Sequence, residues 1–266
     1  MLVLLQRIVP HHLISRIVGW VANSRISWIK NIFIRTIIKR YQVDTSEALK
    51  QDIHAYDTFN DFFTRQLKPE ARPVGGRFCS PADGSVSAAG DITCGQLIQA
   101  KGIDYSLQKL LGRDDVSDFQ QGSFITIYLS PRDYHRVHCP ANAELYRARY
   151  VPGRLFSVNQ ATTDGVKDLF AVNERLVMDF NTGSGKMTVV MVGAMIVAAI
   201  KPAWRLKPYQ ARIAIEETFS PTKTFEIGEE LGLFQMGSTA IVLLQERVNW
   251  LRTASTSVRM GEAIVV

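Results

Sequence analysis

An α+β architecture, with N-terminal amphipathic helices followed by an antiparallel β-rich body, follows from three features of this sequence. Apolar side chains recur at helical spacing before residue 40, the texture changes after Pro69 to short β-rich runs, and turn residues separate those runs. At 266 residues the chain can form one sizeable domain or a domain with an appendage, with ample length to bury a core.

The helical part comes first. Leu13, Ile14, Ile17, Val18 and Val21, then Trp28, Ile29, Ile32, Phe33, Ile37 and Ile38, predict two amphipathic helices. Pro10 can open the first, and Asn23, Ser24 and Ser27 are capping residues between them. Residues 1–43 carry Arg7, Arg16, Arg25, Lys30, Arg35, Lys39 and Arg40 and no acid, whereas the rest holds 24 basic and 25 acidic side chains. The net charge of +6 therefore belongs to the arm, and no nucleic-acid surface is expected across the body. Basic residues interrupt every apolar run well short of the roughly 18 residues that a spanning helix needs. An arm lying on an anionic membrane surface is expected, with Trp20 and Trp28 in the headgroup layer. No small-residue cleavage site suggests a signal peptide. Helices packed on the body or in a dimer interface are the open alternative.

Two short helices are expected at 45–55, capped by Asp44 or Thr45, and at 59–67, capped by Thr58. Residues 1–68 thus form the helical segment and 69–266 the β-rich body. Its expected strands include 124–129, 175–180, 187–192, 211–215 and 240–244, with Asn181–Gly185 as a hairpin loop and a bend at Gly193. Cys79, Cys94 and Cys139 are widely spaced, suggest neither a disulfide framework nor a zinc site, and read as buried thiols in a reducing compartment.

Chemistry enters at Gly237-Ser238-Thr239, inside the apolar run from Gly232 to Leu244. Glycine leaves its carbonyl open to attack, and the next residue supplies a hydroxyl within reach of it. That pair suits a chain that cuts itself. Other polar groups stand out in Ser80-Pro-Ala-Asp-Gly84 and Ser130-Pro-Arg-Asp-Tyr-His-Arg-Val-His138. Read alone, Asp83-Gly84 is an ordinary turn, and His135 and His138 are structural or a metal pair lacking further ligands.

Together with Phe59-Asn-Asp-Phe-Phe-Thr-Arg-Gln-Leu-Lys-Pro69, Lys101-Gly-Ile-Asp-Tyr-Ser-Leu107, Pro152-Gly-Arg-Leu-Phe-Ser-Val-Asn159 and Gly228-Glu-Glu-Leu-Gly232, these stretches resemble the phosphatidylserine decarboxylases, in the same order. The resemblance spans residues 59–244. Met236 stands where leucine is usual, and Cys139 where methionine is common. The resemblance implies a membrane-associated bacterial enzyme that converts phosphatidylserine to phosphatidylethanolamine. It implies cleavage between Gly237 and Ser238 into a β chain (1–237) and an α chain (238–266), with Ser238 becoming a pyruvoyl group that forms the Schiff base with substrate. No metal is implied. His138 would be the base toward Ser238, Asp83 its orienting carboxylate, and His135 the proton donor in decarboxylation. The implied partners are phosphatidylserine, an anionic membrane at the cytoplasmic face, and the two fragments held as a heterodimer, a dimer of which stays open.

Two other functions compete. A serine hydrolase would need more than Met236-Gly-Ser-Thr-Ala240, which lacks the second glycine of a Gly-x-Ser-x-Gly elbow. A lipid-binding scaffold explains the arm but not the conjunction of Asp83, two histidines and Gly-Ser.

Overall fold

Strand Ser238–Leu244 is the centre of the molecule: every residue of it is buried, and it is paired on both sides. A continuous apolar run can occupy such a place because it faces no water on either side. The architecture comes from a computed structural model, which describes residues 18–100, 103–163, 165–194, 199–209, 212–235 and 238–266.

Thirteen strands are described: β1 (Gly84–Asp91), β2 (Gln96–Ala100), β3 (Ile103–Ser106), β4 (Ser123–Leu129), β5 (Arg136–His138), β6 (Ala143–Val151), β7 (Arg175–Thr182), β8 (Gly185–Gly193), β9 (Ile200–Pro202), β10 (Ile215–Phe225), β11 (Glu230–Phe234), β12 (Ser238–Leu244) and β13 (Ser257–Val258). Eight form an antiparallel sheet in the order β10-β6-β7-β8-β12-β4-β1-β13, and β5-β11-β9 form a second sheet. Along β12 the side chains alternate. Ala240, Val242 and Leu244 enter a core shared with Val137, Ile200, Leu231 and Phe234 of the second sheet. Ile241 and Leu243 enter another, with Leu107, Leu110 and Phe170. Each fully buried Val, Leu or Ile contributes roughly 1.5–3 kcal/mol, which makes β12 the best-anchored strand between the two layers.

The helices are α1 (Ser27–Tyr41), α2 (Phe59–Phe63), α3 (Leu107–Leu111), α4 (Gln160–Thr163) and α5 (Leu169–Val172). Residues 18–22 are helical, and the remainder of the first expected helix, including Leu13, Ile14 and Ile17, lies outside the described residues. On α1 one face packs on the body and the other stays exposed. Ile34 and Lys30 are buried against the cluster of Phe59, Phe62 and Phe63, whereas Trp28 and Ile32 are 66% and 55% exposed. Lys30 donates to the Tyr56 carbonyl at 2.6 Å, so it fastens the helix rather than facing outward.

Four sequence expectations need correction here. The helix expected at 45–55 is a turn, a bridge between Ala48 and Leu67, and a 3₁₀ turn at Ile53–Ala55. Asp44 accepts from the Ser46 amide and Asp52 from the His54 amide, local bonds that compete with a helix. The helix expected to reach residue 67 ends at Phe63, because the following chain pairs back through Leu49 N–H to Gln66 and Lys68 N–H to Glu47. Its Thr58 cap is present, accepting from Asp61 at 3.0 Å. The strand expected at 211–215 begins only at Ile215 and runs to Phe225. The other four expected strands are present, and the 181–185 loop tightens to a two-residue turn at Gly183-Ser184. Cys79 and Cys139 are buried, but Cys94 is exposed, contrary to the expectation for it.

Candidate active site

Ser238 opens β12 between Leu129 of β4 and Gly193 of β8. It is wholly buried, and its Oγ finds no hydrogen-bond partner among the described residues. Burying a hydroxyl unpaired costs about 1–3 kcal/mol, a cost that calls for a reason at the position. Gly237 and Met236 lie outside the described residues. Ser238 shares its face of the sheet with Ala240, and this face is covered by the second sheet, which carries the histidines.

His135 immediately precedes β5, and its carbonyl accepts from Phe234 N–H at the end of β11, four residues before Ser238. Nδ1 lies 2.8 Å from the Asp133 carbonyl and must carry the proton there, since a carbonyl only accepts. Nε2 is then a bare lone pair, and it too has no partner among the described residues. The ring packs 4.0 Å from that of Phe63. Burial pushes its pKa down to about 3, with Arg65 adding to the effect against the Asp133 bond, so the imidazole is neutral.

His138 ends β5. Its Nδ1 donates to the Gly228 carbonyl at 2.8 Å, and Nε2 accepts from the Tyr134 hydroxyl at 3.1 Å. Burial again lowers the pKa. The expected pairing with Asp83 is not made by a hydrogen bond in this structure. Asp83 accepts instead from Arg72 Nε at 2.8 Å, from the second guanidinium nitrogen at 2.5 Å, and from the Met260 amide at 2.8 Å. The physical reason is Arg72, buried and fork-shaped, which takes both carboxylate oxygens. The Asp83 loop does lie against β5, since His138 N–H donates to the Pro81 carbonyl. The Gly228 carbonyl therefore sets the His138 tautomer here.

A cavity of about 230 Å³ borders Asp83, Tyr134, Arg65 and Arg72. Among the described residues no group of three or more His, Cys, Asp or Glu side chains could hold a metal ion.

Sequence reasoning passed over Glu174. This carboxyl is 2% exposed, and its Oε2 accepts from the Tyr150 hydroxyl at 3.0 Å. Burial pushes its pKa up to about 7 against the pull of the Tyr150 bond. A Cβ placed on Gly193 would meet Glu174 Cγ at 3.1 Å and Oε1 at 3.3 Å, so the glycine is where the acid side chain lies across the strand. Asn173 fixes the corner by donating to the Phe156 and Gly193 carbonyls. The available signal was Asn173-Glu-Arg175, three polar residues directly before the apolar Leu176-Val-Met178.

Comparison with known proteins identifies the family. The family model described as phosphatidylserine decarboxylase matches residues 59–266, and one described as PSD matches residues 1–42. A phosphatidylserine decarboxylase proenzyme of Pseudomonas putida is 49% identical, over 97% of this chain and 95% of its own. One of Pseudomonas entomophila is 50% identical over 98% and 96%, and one of Saccharophagus degradans 46% over 98% and 95%. A match of this extent makes the chain an enzyme that belongs to the phosphatidylserine decarboxylase family.

Proposed function

We propose that the chain is a self-cleaving precursor whose mature form decarboxylates phosphatidylserine to phosphatidylethanolamine, and that Ser238 is both the cleavage nucleophile and the source of the cofactor. The observation that carries this reading is the buried Ser238 hydroxyl, without a partner among the described residues, at the head of the central strand. Attack of Oγ on the Gly237 carbonyl converts the peptide to an ester; elimination and hydrolysis then leave a pyruvoyl group on the downstream fragment. That group supplies the electron sink, through a Schiff base with the substrate amine. The residues fit such a group at position 238, because the hydroxyl there is wholly buried and finds no partner among the described residues.

The residues divide the proton work. His138 Nε2 is an acceptor for the Ser238 proton, reached once Tyr134 yields its bond. Asp83, through Arg72 and the Met260 amide, holds the loop against β5 and so positions His138. His135 is the proton donor to the carbon that loses carbon dioxide, its charged form, which burial alone disfavours, being stabilised by the substrate's anionic groups when they bind. The 29-residue α chain stays bound after cleavage because β12 is laddered to both β4 and β8. Residues 1–68 form the membrane-associating segment of a peripheral enzyme on the cytoplasmic face of the membrane. Trp20, Trp28 and Ile32 stand exposed beside Arg25, Arg35, Lys39 and Arg40, which supports that placement. No described helix is long and apolar enough to cross a membrane.

Denaturing mass spectrometry tests the reading. The expected result is two fragments, the smaller starting at position 238 with a blocked end, lighter by one ammonia than hydrolysis alone leaves. Ser238→Ala and His138→Ala stay uncut, whereas His135→Ala cuts but turns over poorly. An active, uncut chain with serine at 238 would overturn it.

A further inference from the structure

Cleavage by this route needs a second proton abstraction. After the acyl shift, a proton must leave the Cα of Ser238 for the ester to be eliminated. His135 and His138 come from the second sheet, whereas Glu174 immediately precedes β7 of the main sheet, across β8 from Ser238, with its side chain over the Gly193 that Ser238 pairs with. Gly193 N–H donates to the Glu174 carbonyl, and the Gly193 carbonyl accepts from Asn173. Both main-chain groups of Gly193 thus point away from β12. The Gly193–Ser238 pair is therefore one that exchanges no hydrogen bonds, the kind in which the Cα atoms approach to about 4.5 Å. In such a pair the Cα–H bonds are turned toward each other between the strands. The space that a Gly193 side chain would fill is taken by Glu174 Cγ and Oε1, on the same face as the Ser238 side chain.

We propose that Glu174 is the base that removes the Ser238 Cα proton during elimination. The Cα–H electron pair becomes the Cα–Cβ double bond, the Cβ–Oγ bond breaks, and its electrons leave with the Gly237 carboxylate. The proton rests on Glu174 until the dehydroalanine is protonated at Cβ on its way to the imine. No outside reactant is required for the elimination. A buried carboxylate is a stronger base than a solvated one, which suits removal of a weakly acidic C–H proton. Tyr150 holds Oε2 and leaves Oε1 on the Gly193 side. The assignment rests on the self-cleavage proposed above.

Full-length Glu174→Gln and wild type are compared by gel and mass spectrometry, with and without neutral hydroxylamine, alongside a thermal melt. Glutamine keeps the Tyr150 bond but cannot accept the proton. The variant is expected to release the blocked fragment on the order of 10²-fold more slowly, the scale of a lost general base. Hydroxylamine should split its accumulated ester, giving a Gly237 hydroxamate and a fragment with a free Ser238 amine. A purely structural role would not generate that trapped ester. Release of the blocked fragment at the wild-type rate overturns the assignment. So does a folded, uncut variant inert to hydroxylamine, which would place the defect in the attack. Should Glu174→Gln fail to fold, Glu174→Asp decides: slowed elimination with trappable ester supports the role, and elimination at the wild-type rate refutes it. If wild type itself never cuts, the self-cleavage reading falls first, an outcome distinct from failure of Glu174 alone.

Discussion

The N-terminal helices and the β body place their awkward residues on opposite sides. Around α1 the unfavourable groups are apolar and outside, Trp20 at 79% exposure being the extreme. In the body they are polar and inside: Asp179, Glu174, His135 and Ser238 are all buried. Exposed apolar side chains gain by meeting another apolar phase. Buried polar groups gain by holding defined protonation states and partners that water would scramble. The helical segment is thus arranged to act outward and the sheet to act inward, and mutation can test that division.

The largest stability effect belongs to Asp179, on β7. Its carboxylate receives Arg147 at 2.8 Å, Arg113 at 3.2 Å and the Thr188 hydroxyl at 2.7 Å. Asp179→Ala leaves two arginines facing an empty pocket and is expected to cost about 3–5 kcal/mol in denaturant titration. A loss under 1 kcal/mol would break the contrast, since the interior would then tolerate unpaired charge as the surface does.

Next comes pH. Between pH 4.5 and about 7 the folded chain keeps a proton on Glu174 that the unfolded chain has released, so stability falls as pH rises through that window. The full change is ~3 kcal/mol, and Glu174→Gln should remove it. His135 has the opposite sign: from pH 6.5 down to about 3 the unfolded chain takes up a proton that the buried ring refuses, so stability falls on acidification. Urea midpoints of wild type, Glu174→Gln and His135→Ala across pH 4–8 separate the slopes. Parallel curves for wild type and Glu174→Gln would show that Glu174 does not hold its proton.

The smallest effects lie on α1, where one helix carries both behaviours. Lys30→Ala removes the donor to Tyr56 and should cost about 1–3 kcal/mol. Trp28→Ala should change stability by less than ~0.5 kcal/mol yet weaken sedimentation with anionic vesicles. Unchanged vesicle binding after Trp20 and Trp28 are both replaced would remove the outward role from this face.

Alternation, helical periodicity and charge placement were legible along the chain itself. They located α1, the Thr58 cap, strands β4, β7, β8 and β12, and Ser238 at the head of an apolar run, because each depends on neighbours in sequence. The resemblance added His135, His138 and Asp83. What only the tertiary structure decided were partners brought from far along the chain: Arg72 claiming Asp83, Gly228 setting the His138 tautomer, Lys30 turned inward to Tyr56, and Glu174 lying across Gly193. The helix expected at 45–55 was lost for the same reason, as Ala48 pairs with Leu67. A local pattern tells which face of an element is apolar. It cannot tell which of several charged groups will reach a carboxylate first, since that is settled by how sheet register and packing bring distant residues together.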